Sequence, residues 1–77
     1  MKAKEILAHN LKAYRTYFNL SQEEISLQVG LSVRGYGKIE RQEVGTSLET
    51  LEKLSCGLGI SIEMLLNTHM TQCLHLL

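Results

Sequence analysis

Apolar residues return at helical spacing along most of this chain. Leu7, Leu11, Tyr14 and Phe18 recur at intervals of four, three and four, one stripe of an amphipathic helix over Lys4 to Phe18. Asn19-Leu20 is the break, with Leu20 expected inside. Ile25 and Val29 share a face of a second helix, Gln22 to Val29, with Ser26 beside them. Tyr36 and Ile39 point inward on a third, Val33 to Glu40. Leu48, Leu51, Leu54, Ser55 and Leu58 line a fourth, Leu48 to about Gly57. Ile62, Leu65 and Leu66 close a fifth, Ile62 to Leu66. The pattern predicts an all-α fold of five helices.

The polar residues between these stripes supply the punctuation. Ser21 is an N-cap and Glu24 follows three residues later, a capping box. Gly30 comes where the second helix can end in a left-handed conformation, Leu31 seals the corner, and Ser32 caps the third helix. Ser21 to Arg41 thus reads as two short helices joined by a tight turn. Ser47 caps the fourth helix with Thr50 where Glu or Gln would complete the box, and Gly57 and Gly59 end it. Ser61 caps the fifth, with Met64 at the third position. On the third helix Val33, Arg34, Gly37, Lys38 and Arg41 are left on the outer side. A short amphipathic helix with outward cations suits a DNA groove.

The run Gln22-x-x-Ile25-Ser26-x-x-Val29-Gly30-Leu31-Ser32, followed by Tyr36, Ile39 and Glu40, resembles the lambda-repressor-like (Cro or XRE type) helix-turn-helix family. Leu11-Lys12-x-Tyr14-Arg15 upstream and Leu48-Glu49-Thr50-Leu51 through Leu58-Gly59-Ile60 downstream carry the likeness further, over roughly Ala3 to Leu66. The resemblance implies a five-helix DNA-binding domain over 1–67, with the motif at about 22–41. It implies that Val33, Arg34 and Lys38 enter the major groove, and that Gln22, Ser32, Arg41 and Lys12 meet the DNA backbone. It also implies an ion pair between Arg15 and Glu40 that pins the third helix to the first. Two departures stand out. The proline often found before the family's fourth helix is absent, since the chain has no proline. Gly35 and Gly37 flank Tyr36 inside the reading helix, and each glycine there costs about 0.5–1 kcal/mol relative to alanine. These glycines allow close approach to DNA or to the first helix, or ordering on binding, or mark a reader that has decayed.

Charge changes the picture only through its placement. Eight basic and eight acidic residues sum to zero, which counts mildly against nucleic-acid binding. Seven of the cations (Lys2, Lys4, Lys12, Arg15, Arg34, Lys38 and Arg41) precede residue 42, and only Lys53 follows. The basic front half can still meet phosphate. The 77 residues suit one small domain whose single core is marginal, so occupancy of an operator is the expected mechanism. No apolar run is long enough to span a membrane, no secretory signal opens the chain, and a cytoplasmic location is expected.

Other chemistry is expected to be absent. Cys56 and Cys73 make no disulfide framework and are expected to be reduced. His69-x-x-x-Cys73-x-His75 matches no standard zinc spacing, so no metal or other cofactor is expected. Cys73 with His69 or His75 lacks an orienting acid and an oxyanion device, so no catalytic residue and no enzyme is expected, nor a small-molecule ligand. The tail over 68–77 is apolar for a chain end, with Met70, Leu74, Leu76 and Leu77. Either it packs back on the domain or it meets another chain. In the second case Met64, Leu65, Met70, Leu74, Leu76 and Leu77 form the interface of a homodimer. The expected function is a sequence-specific transcriptional regulator, a repressor bound to double-stranded DNA as a dimer. The alternative is a protein-interaction module of antitoxin or anti-repressor type on the same scaffold.

Overall fold

Leu7, Leu11, Ile25, Tyr36, Leu54 and Leu65, each 0–2% exposed, form the centre around which the helices pack. The computed structural model describes residues 2–76. Five α-helices and a 3₁₀ segment follow in order: α1 (Ala3–Tyr17), α2 (Gln22–Val29), α3 (Val33–Glu40), α4 (Leu48–Leu58), α5 (Ile62–Leu65) and the 3₁₀ segment (Met70–Leu76). The all-α, five-helix expectation holds. Helix α1 packs on α3, on α5 and on the 3₁₀ segment, while α2 packs on α3 and α4.

The caps follow local chemistry. The Ser21 hydroxyl accepts from the Glu24 amide at 3.0 Å and the Glu24 carboxylate accepts from the Ser21 amide at 2.9 Å, a complete capping box. Ser47 accepts from the Thr50 amide at 3.1 Å, and the two hydroxyls bond at 3.0 Å, so Thr50 partly fills the place of the missing acid. Gly30 and Gly59 are left-handed, with φ of 75° and 67°. Asn19 and Gln42 make the same turn at φ of 55° and 62° without glycine.

Several inward positions differ from the sequence expectation. Leu48 is 76% exposed, because it opens α4 at the helix edge before the first full turn reaches the core. Phe18 is 40% exposed and lies against the Tyr14 ring at 4.6 Å, since it falls beyond the end of α1. Gly57 does not end α4 but sits inside it, packed against α2. A Cβ at Gly57 would stand 2.7 Å from the Gln28 carbonyl oxygen and from the Val29 Cα, so two backbones meet where no side chain fits. Leu20 is half-buried, and Leu31 packs partly buried against the core.

The tail packs back on its own chain. Met70 and Leu74 are 1% and 6% exposed within the core. A buried asparagine anchors the approach: Asn10 Nδ2 donates to the Leu65 carbonyl at 2.7 Å and to the Asn67 carbonyl at 2.9 Å. Asn10 lies on the inward stripe of α1, three residues after Leu7 and four before Tyr14. A polar residue there needs partners, and the end of α5 supplies two acceptors for Nδ2, while Oδ1 is buried without a donor among the described residues.

Candidate nucleic-acid interface

Helices α2 and α3 are held at their corner by Gly30 and Leu31, and the Ser32 hydroxyl caps α3 by accepting from the Gly35 amide at 3.0 Å. Tyr36 and Ile39 turn into the core. The opposite side of α3 carries Val33, 44% exposed, Arg34, exposed, and Lys38, half-buried. Arg41 follows at the helix end and is exposed. Arg34, Lys38 and Arg41 are spaced four and three apart, one stripe of cations on one face.

Glu40 joins three helices. Its carboxylate accepts from Arg15 Nη2 at 2.8 Å and from Arg15 Nε at 3.1 Å, a bidentate pair between α1 and α3. Gln22 Nε2, at the start of α2, donates to the same carboxylate at 3.2 Å. The Arg15 and Glu40 side chains are 21% and 4% exposed. Burial alone would raise the Glu40 carboxyl, but the hydrogen bonds from Arg15 and Gln22 outweigh it and hold the group below the usual carboxylate range. The Glu40 hydrogen bond raises the Arg15 guanidinium in turn. Burial, together with Glu40 nearby, pushes the Tyr36 hydroxyl far up, so it stays protonated beside the pair. Gln22 therefore lies at the start of α2 with one amide hydrogen already committed.

The remaining expected contacts are placed less uniformly. Lys12 is exposed on the flank of α1 that faces the 3₁₀ segment, in a shallow cleft shared with Tyr17 and Thr71. Arg41 is engaged by Glu43, a partner the sequence reading did not include. Its signal was available: a carboxylate two residues past the basic helix end, across a turn. The expected dimer surface is corrected in part. Leu65, Met70 and Leu74 are 0%, 1% and 6% exposed within the chain's own core, so a second chain cannot reach them without opening it. Met64 remains half-buried. The Leu76 side chain and Leu77 lie outside the described residues. Cys56 is exposed and Cys73 half-buried, both free thiols. Among the described residues no His, Cys, Asp or Glu side chains gather as a metal-holding group, and no helix is long and apolar enough to cross a membrane.

Comparisons with known proteins agree with this geometry. The helix-turn-helix family model matches residues 11–65. Control protein C.SmaI of Serratia marcescens is 42% identical over 66 residues, covering 86% of this chain and 79% of that protein. The uncharacterized HTH-type transcriptional regulator YonR, derived from the SPbeta prophage of Bacillus subtilis, is 38% identical over 65 residues, covering 83% of this chain and 60% of its own. The crystal structure of hypothetical transcription factor NHTF from Neisseria superposes with a TM-score of 0.81 at 27% identity, over 96% of this chain and 83% of that one. The capped two-helix corner, the outward cations of α3 and these relatives lead to one assignment: the chain belongs to the Cro/C1-type helix-turn-helix family of DNA-binding transcriptional regulators.

Proposed function

We propose that this chain recognises a specific operator through α3 and represses by occupying it in the cytoplasm, docked as a two-fold dimer. The observation that carries the reading is the two-sidedness of α3. Tyr36 and Ile39 are buried, while Val33, Arg34 and Lys38 remain accessible on the other side. In this reading Arg34 makes a bidentate contact to guanine O6 and N7, Val33 meets a thymine methyl, and Lys38 reaches a guanine or a phosphate. Gln22, Ser32, Arg41 and Lys12 bind backbone phosphates and set register. The second amide hydrogen of Gln22 and the hydroxyl hydrogen of Ser32 are the donors left for this. Glu40 holds the start of α2 and the end of α3 together, so the reader and its phosphate contact approach DNA as one body.

A dimer places two reading helices about 34 Å apart on one face of the duplex. With Leu65, Met70 and Leu74 inside the core, its surface would draw on the accessible flank around Met64. The names of the relatives, control proteins and transcriptional regulators, support a regulatory role. Leu27 and Leu48, 86% and 76% exposed, favour the rival reading of a protein-docking module. Salt separates the two. Binding to duplex DNA should weaken about 10³-fold or more between about 50 and 200 mM salt if six or more phosphates are contacted. Affinity that is flat across that range would favour the protein-docking module.

A further inference from the structure

The turn after α3 brings a carboxylate into the cationic stripe. Gln42 is left-handed, with φ of 62°. Its amide donates to the Ile39 carbonyl at 3.1 Å, and the Glu43 amide donates to the Lys38 carbonyl at 2.8 Å. These paired bonds close the helix in a tight reverse turn. The backbone therefore returns Glu43 alongside Arg41, where Arg41 Nε donates to Glu43 Oε2. The guanidinium is also laid back along α3. A Cβ built on Gly37 would stand 2.8 Å from Arg41 Nη1, so this arginine occupies the space that Gly37 leaves open. Two separate features, the turn and the glycine, fix one arrangement.

We propose that Glu43 is a positioning residue for DNA binding: it holds the Arg41 guanidinium folded over Gly37 in the free protein, and a backbone phosphate takes that guanidinium over when DNA docks. This rests on the reading above that Arg41 meets the DNA backbone. The exchange replaces one oxyanion by another. Glu43 uses only Nε, so both terminal nitrogens can begin a contact to phosphate before the carboxylate is released. Arg41 and Glu43 are 53% and 48% exposed, so phosphate can reach the pair. Glu43 is then a brake: it neutralises one cation of the stripe until DNA competes for it. The Arg41 hydrogen bond holds the Glu43 carboxyl below its ordinary range, with Lys38 adding to this.

The probe is a labelled mixed-sequence duplex of about 24 base pairs, titrated with wild type, Arg41→Ala, Glu43→Gln and the double variant across about 50 to 200 mM salt. Arg41→Ala is expected to weaken binding and to lower the slope of log affinity against log salt by about one. Glu43→Gln is expected to tighten binding about two- to fivefold, the range for releasing an exposed ion pair. That gain should vanish in the Arg41→Ala background. In a carbon-13 titration of the free protein, the Glu43 carboxyl midpoint should rise in Arg41→Ala and in Gly37→Ala, where the added Cβ displaces the guanidinium. A gain that survives in full in the double variant would overturn the proposal, since Glu43 would then act only as a general negative charge. Weaker binding by Arg41→Ala with no gain from Glu43→Gln would also overturn it, while leaving Arg41 as a phosphate contact. No effect of Arg41→Ala on affinity or slope would remove both.

Discussion

Glu40 belongs to α3 by its backbone, to α1 through Arg15 and to α2 through Gln22. Its carboxylate is nearly buried, and the guanidinium it faces is about four-fifths buried. Glu40→Ala would leave the Arg15 guanidinium largely buried, with the Leu20 carbonyl but no carboxylate to pair with. We expect a loss of about 2–3 kcal/mol in chemical denaturation, below the cost for a fully buried pair because Arg15 keeps some access to water. The folded Glu40 carboxyl lies below its unfolded value of 4.5. Its contribution is therefore complete above about pH 4.5 and lost as pH falls through the lower folded value. Glu40→Gln should flatten part of the acid limb of the stability curve, which denaturation at several pH values will measure. Spacing alone could not reveal this pair, because Arg15 and Glu40 are far apart in sequence; only the family resemblance brought them together. The third partner, Gln22, and the Tyr36 hydroxyl needed coordinates, since their convergence depends on how α2 and α3 cross α1.

At the scale of elements, the helix ends were legible and the helix contacts were not. Ser21, Ser32, Ser47 and Ser61 each cap the helix that follows, because capping is chemistry within four residues. Gly57 shows the limit. A glycine near a helix end reads as a terminator, and Gly59 is one, but Gly57 is a contact point between α4 and the backbone of Gln28 and Val29. The difference lies in what α2 does, which no local pattern encodes. Gly57→Ala would improve helix propensity and still destabilise, by about 1–3 kcal/mol or more, because the Cβ meets backbone that cannot swing away. Thermal melting tests this: a variant at least as stable as wild type would mean that α2 and α4 are not this close. Gly37 contrasts with it, since a Cβ there meets only the far end of the long Arg41 side chain, which can be displaced without moving backbone.

At the scale of the whole molecule, the apolar tail completes the core. Met70 is 1% exposed, so Met70→Ala should cost about 2–5 kcal/mol. The loss should be independent of protein concentration, which melts at several concentrations will check; a loss that disappears on dilution would place Met70 between chains instead. The sequence left both fates of the tail open because an apolar end has the same composition in either. The zero net charge is reconciled with a DNA-binding family by its distribution, with Arg34, Lys38 and Arg41 on one stripe of α3. The proposal is that Arg34 and Lys38 of this stripe, with Val33, read base sequence, while Arg41 meets phosphate. Its most direct test is selection of bound duplexes from a random pool, with wild type and Arg34→Ala side by side. We predict an inverted-repeat motif for wild type, and for Arg34→Ala a folded protein that loses preference at one position per half-site, by about 1–3 kcal/mol. The same motif with the same discrimination from Arg34→Ala would contradict Arg34 as a base reader, and no motif from folded wild type would contradict operator recognition.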